Sequence, residues 1–180
     1  MIIDLFATAS MEPARTFFSL FRPGDAQKVD ARGRGLLLQA LANKDLPSRY
    51  SLGHFLLDEG APLTAGDGGA TALHVLFGQV SHDVGEDARI ARRLIDAGAD
   101  INALDENGRV PFLEVLNMKY SDEDLNPIYD LWFEREDADF TLVSVHGVSP
   151  ISFAKKLPFR GSVVDRMESY VHSHSSPSSP

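Results

Sequence analysis

The stretch RRLIDAGADINALDENGRVPFLEVL, from Arg92 to Leu116, decides how this chain is read. An apolar helical stretch containing Leu94 and Ile95 runs into Gly98-Ala99-Asp100. A polar turn follows at Gly108, and then a short apolar run, PFLEVL. Gly98 stands where a helix C-terminus favours a left-handed residue. The same grammar recurs along the chain. Gly33, Gly69, Gly108 and Gly147 are spaced by 36, 39 and 39 residues, and each precedes an apolar run: LLLQAL, ALHVLF, PFLEVL or PISFA. A second marker keeps the same period: Gly60-Ala61, Gly98-Ala99-Asp100 and Asp137-Ala138-Asp139, with a fainter copy at Pro23-Gly24-Asp25. Two separate markers sharing one period identify a repeat array.

Each period predicts two helices. The second spans Arg49 to Glu59 in one period and Asp87 to Ala97 in the next, with Leu52, Leu56 and Leu57, or Ile90, Leu94 and Ile95, on one stripe. In the third period Asp137 stands in the place of the capping glycine, which predicts a strained left-handed aspartate there. Residues 1–29 read as an N-terminal half repeat. Residues 30–66, 67–104 and 105–143 read as three repeats, 144–171 as a capping repeat, and 172–180 as a disordered Ser/Pro tail.

Composition narrows the class. The chain has 180 residues, no cysteine, and a net charge of −9. Without cysteine there is no disulfide framework, thiolate metal site or thiol nucleophile. No apolar run is long enough to span a bilayer. The start, MIIDLFATAS, lacks the basic region of a signal peptide, so the expected setting is cytoplasmic. The acidic balance predicts no nucleic-acid partner and no anionic membrane surface. Residues 105–143 hold eleven acids and three bases, so the excess is concentrated in one block. That block is either a solvated face or a docking patch for a basic partner.

Sites for chemistry are sparse. The segment Gly66 to Thr71 is glycine-rich but lacks the Lys-Ser/Thr of a phosphate loop. Asp122-Glu123-Asp124 reads as a solvated inter-helix linker rather than a cation site, and the six histidines are scattered. No nucleophile elbow or zinc-protease motif occurs. The expected function is therefore non-enzymatic, with no cofactor and no metal.

GATALH (Gly69 to His74), the Arg92 to Leu116 stretch and HGVSPISFA (His146 to Ala154) resemble ankyrin repeats. The resemblance covers roughly residues 12–171. It implies an all-α repeat solenoid, an ankyrin-like stack of helix pairs joined by β-hairpin-type turns. The period departs from the family's about 33 residues, and the excess falls between the paired helices, at Lys44–Ser48, Ser81–Glu86 and Tyr120–Asn126. The resemblance makes His74 a structural histidine that braces its turn. It also implies protein binding through the turn tips and the exposed side of each first helix. Mapped here, that face comprises Arg32, Asp67, Val75, Gln79, Asp105, Glu106, Asn107, Glu114, Asn117, Met118, His146 and Phe153, with Asn43 and Leu157 beside them. Val75, Met118, Phe153 and Leu157 are either an exposed apolar interface centre or buried by a shift of register. The expected partner is a protein with a basic surface, and the free chain is expected to be a monomer. Small ankyrin chains of this kind resemble immunity proteins that mask bacterial toxins; a general adaptor is the alternative.

Overall fold

The computed structural model describes residues 4–174. Among the described residues the chain is all-helical, with ten α-helices and no strand. They are α1 (Leu5–Met11), α2 (Ala14–Leu20), α3 (Leu36–Leu41), α4 (Leu46–Asp58) and α5 (Ala72–Phe77), then α6 (Val84–Asp96), α7 (Pro111–Asn117), α8 (Asp122–Phe133), α9 (Pro150–Ala154) and α10 (Gly161–His174). Short 3-10 turns lie at Asp25–Gln27 and Asp67–Gly69. The odd-numbered helices pack in sequence, α1 on α3, α3 on α5, α5 on α7 and α7 on α9. The even-numbered helices do the same from α2 to α10. Two layers result, short helices in one and long helices in the other. The core between them is built from Leu36, Leu37, Leu52, Leu56, Leu73, Leu76, Ile90, Leu94, Val115, Leu116, Leu125 and Ile128, each 1% exposed or less. Trp132 stacks obliquely on Phe77 and Phe112, sealing the seam of the two central pairs.

Four turns connect successive pairs, and all close in one way. The N–H of the first turn residue donates to a carbonyl four residues on: Asp30 to Arg34, Gly66 to Ala70, Asp105 to Arg109 and Ser144 to Val148, at 2.7–3.0 Å. The glycine N–H then donates back to that first residue. Gly33, Gly69, Gly108 and Gly147 take positive φ to do this. At Gly108 the backbone of Ser144 and Val145 also approaches to 3.3 Å of where a Cβ would sit, so a side chain there would meet both strain and main chain.

The residues beyond a 33-residue period do not make slack linkers. They lengthen the second helices backwards. Asp45 accepts from the Ser48 N–H and Asp83 from the Glu86 N–H, while Ser121 and Asp124 cap one another reciprocally. Lys44–Ser48, Ser81–Glu86 and Tyr120–Asn126 are therefore mostly cap and first helical turn. In particular, Asp122, Glu123 and Asp124 open α8, where acids meet the positive end of the helix dipole.

The expected strain at Asp137 is absent, because among the described residues no non-glycine residue has positive φ. α8 stops at Phe133, and Glu134 to Glu136 lead down to the marker. The Asn102 side chain then takes over, donating to the Asp137 carbonyl at 2.6 Å and accepting from the Asp139 N–H at 3.0 Å. At the C-terminus His172 to His174 continue α10, and the His174 ring stacks on Tyr170 at 3.9 Å, so these three residues are helical where a disordered tail was expected. Residues 175–180 lie outside the described residues.

Each long junction is held by a buried cationic or imidazole side chain. Arg49, 1% exposed, donates to the carbonyls of Asn43 and of Ser81 in the next pair. His82 contacts the Gln79 carbonyl and Asp87, both at 2.7 Å, and Asp87 also accepts from the Tyr50 hydroxyl. Arg160, fully buried, reaches back to the carbonyls of Leu116, Met118 and Tyr120 and to the carboxylate of Asp122. These carbonyls stand at or beyond first-helix ends, where no intrahelical donor remains. Asn43 is buried at such an end, donating to the carbonyls of Ala9 and Glu12, so its expected exposure is corrected.

Candidate protein-binding face

The short-helix layer and the four turns form one face. His74 ties its parts together. Its Nδ1 accepts from the Thr71 N–H at 3.2 Å and its Nε2 reaches the Arg109 carbonyl at 2.8 Å, linking one turn to the next. This geometry needs a neutral ring. Burial holds the His74 pKa below its ordinary 6.5, against the raising effect of the Arg109 carbonyl.

The turn tips are stiffened by charge. Asp30 accepts from the Arg34 backbone and side chain, and Arg34 and Arg32 both reach Asp67. Asp105 repeats the device. It accepts from the N–H groups of Asn107 and Arg109 and from the Arg109 guanidinium. Burial opposes its ionisation, but these donors outweigh it and hold the carboxyl below the ordinary range. Asp105 is 8% exposed. It therefore shapes the tip and does not reach outward, which corrects its assignment as a contact residue. Adjacent tips are hydrogen-bonded, Glu106 N–H to the Gly68 carbonyl at 2.7 Å and Val145 N–H to the Asn107 carbonyl at 2.8 Å.

Three clefts lie along this face. The first, about 150 Å³, is lined by Arg34, Leu38, Gln39, Ala42, Asp67 and Val75 between α3 and α5. The second, about 170 Å³, is lined by Gly78, Gln79, Glu114, Asn117 and Met118 between α5 and α7. The third, about 200 Å³, is lined by Arg109, Leu113, Glu114, Asn117, His146, Val148 and Phe153 between α7 and α9. Glu114 and Asn117 belong to both of the last two.

Thus the fold brings Gln79, Glu114, Asn117, His146 and Phe153 onto two clefts with a shared wall, and Asp67 and Val75 onto a neighbouring cleft along the same layer. Arg32, Glu106 and Asn107 stand on the tips beside these clefts, and Arg32 is committed to Asp67. Met118 is corrected: it is 5% exposed, its carbonyl held by Arg160, and it forms only a wall. Val75 and Phe153 are half-buried against the core, and Leu157 is also only partly exposed. The register question therefore resolves toward burial. Sequence reasoning missed Arg34, Leu113 and Val148. A signal existed for the arginines: Asp30-Ala-Arg-Gly-Arg34 and Asp105-Glu-Asn-Gly-Arg109 share one pattern.

Larger hollows occur elsewhere. One, of about 450 Å³, lies on the long-helix layer among His54, Arg89, Arg92, Arg93 and Leu131. Its three arginines are matched by Glu86, Glu134 and Asp58. Another, of about 620 Å³, lies at the N-terminal junctions from Ser10 to Pro13 and Ala42 to Asp45. Neither gathers the tips and helices of successive pairs. Among the described residues no cluster of His, Asp and Glu has the arrangement of a metal site. No described helix is long and apolar enough to cross a membrane.

No protein-family model matches the chain. No curated protein matches it. Among solved structures, a functionally unknown protein from Leptotrichia buccalis C-1013-b is similar, with a TM-score of 0.82 and 22% identity. The match covers 96% of this chain and 95% of that one. The likeness is one of fold.

Proposed function

We propose that this chain is a non-enzymatic binding module, an ankyrin-like solenoid that uses its short-helix groove and turn tips to mask a partner protein. The carrying observation is the continuity of the groove. The α5/α7 and α7/α9 clefts share Glu114 and Asn117, the α3/α5 cleft follows them on the same layer, and their linings mix apolar, amide and charged side chains. Such a mixture suits a protein surface better than a small substrate, which needs a deep, dry pocket. The partner we propose has a basic surface, and the masking role is that of an immunity protein acting in the cytoplasm on a toxin.

The test has two stages. The chain is used to co-purify its partner, which is identified by mass spectrometry. The complex is then footprinted by hydrogen exchange. Protection confined to α3, α5, α7, α9 and the tips, with loss of the partner's activity, is the expected result. Protection of the long-helix layer would refute the groove. A bound partner that stays active would make the chain a tether instead.

A further inference from the structure

The groove is not uniform, and its asymmetry bears on what it holds. Near its N-terminal end two carboxylates, Asp30 and Asp67, meet two guanidiniums, Arg32 and Arg34, in ion pairs of 2.7–3.3 Å. At the other end three carboxylates, Asp105, Glu106 and Glu114, face one guanidinium, Arg109. Arg109 is spent on Asp105 at 2.7 Å and reaches Glu114 only at 3.5 Å. The Glu114 side chain is 19% exposed and borders two clefts at once. One of them has an apolar floor of Leu113, Val148 and Phe153. The other is polar, walled by Gln79 and Asn117. The side chains of Asn117 and His146 have no hydrogen-bond partner among the described residues.

Resting on the groove reading above, we propose that the α7/α9 end is the anchoring subsite and that its occupant is a partner segment with an apolar side chain beside a lysine or arginine. The apolar side chain fills the cleft over Leu113, Val148 and Phe153. The neighbouring cation meets Glu114, whose charge is under-compensated and whose side chain is largely shielded from solvent, so a charge-assisted hydrogen bond there is strong. Asn117 and His146 supply hydrogen bonds to the segment's backbone. The N-terminal end, already neutralised internally, contributes complementarity rather than selection.

The experiment is a random-peptide display selection against the full chain. Selected peptides are resynthesised and measured by fluorescence anisotropy on the parent chain, Glu114→Gln and Asn117→Trp. The first variant removes a charge without bulk; the second fills the cleft from an exposed position. Both are checked by circular dichroism melting. The expected consensus places Leu, Ile or Phe within two positions of Lys or Arg. Affinity is expected to fall about tenfold or more in Glu114→Gln, the loss of a charged hydrogen bond, and to vanish in Asn117→Trp. Acidic or uncharged consensus peptides, or peptides indifferent to Glu114→Gln, would overturn the proposal. Should selected peptides lose affinity instead with Val75→Glu, the subsite is wrong while the groove stands. A selection that enriches nothing also overturns the subsite, and the partner footprint then decides the groove independently.

Discussion

Arg160 is fully buried, and its side-chain bonds run to Leu116, Met118, Tyr120 and Asp122, about forty residues away in sequence. Removing it takes the side-chain donor from those buried carbonyls and the ion-pair partner from Asp122, which keeps the Tyr129 hydroxyl and the Val163 N–H as donors. Arg160→Ala is expected to cost about 3–5 kcal/mol in urea denaturation, whereas substitution of the exposed Lys156 is expected to change little. His74 gives a pH signature. Its folded pKa lies below 6.5 because of burial, so the unfolded chain binds the extra proton first. Stability is therefore full above about pH 6.5 and falls as pH drops through that value toward the folded pKa. Asp25, Asp30, Asp105 and Asp137, with pKa values held below 3.8, add a separate loss only in stronger acid. His74→Asn is expected to remove the first slope and keep the second, measured as urea midpoints at about pH 7.5, 5 and 3. Residue identity alone made His74 legible, through its GATALH context. It could not show that Met118 and Asp105 are buried. Arg160 holds the Met118 carbonyl and Arg109 the Asp105 carboxylate, and Arg160 lies far away along the chain.

The helices were legible where local signals close on themselves. Leu56 and Leu94 are fully buried at the stripe positions that their spacing indicates, and Gly60 and Gly98 follow their helix caps with φ of 68° and 101°. Leu94→Ala is expected to cost about 2–5 kcal/mol, read by thermal or urea denaturation; a cost under about 1 kcal/mol would contradict its seam position. Starts of the second helices are less legible, since Asp45, Asp83 and Ser121 read as linker in the sequence although each is a capping residue. Asp83→Ala is expected to cost about 1 kcal/mol, with amide exchange quickened in the first turn of α6. The departure at Asp137 has a similar origin. The sequence marker keeps its register there, but α8 ends early and Asn102 bonds the marker from the preceding helix pair, a contact no local pattern encodes.

For the whole molecule, the charge count by block misled in an instructive way. Of the acids in 105–143, Glu134, Asp130 and Asp122 are paired by Arg92, Arg166 and Arg160 from outside the block. Asp105 and Asp137 are paired within it, while Glu114 meets Arg109 only at 3.5 Å. The field presented to a partner is therefore much weaker than the sequence charge suggests, and Glu106 and Glu114 carry most of what faces the groove. Reversing Asp105 would break its turn, so the informative change is Glu106→Lys with Glu114→Gln. It is expected to slow association and flatten its salt dependence, with modest effect on folding. The most direct test of the central claim is a binding comparison on the co-purified partner by surface plasmon resonance. Asn117→Trp fills the groove, whereas Arg92→Glu alters the long-helix layer. Asn117→Trp is expected to abolish binding and Arg92→Glu to leave it within about threefold of the parent chain. Binding that survives Asn117→Trp but is lost with Arg92→Glu would contradict binding through the short-helix face.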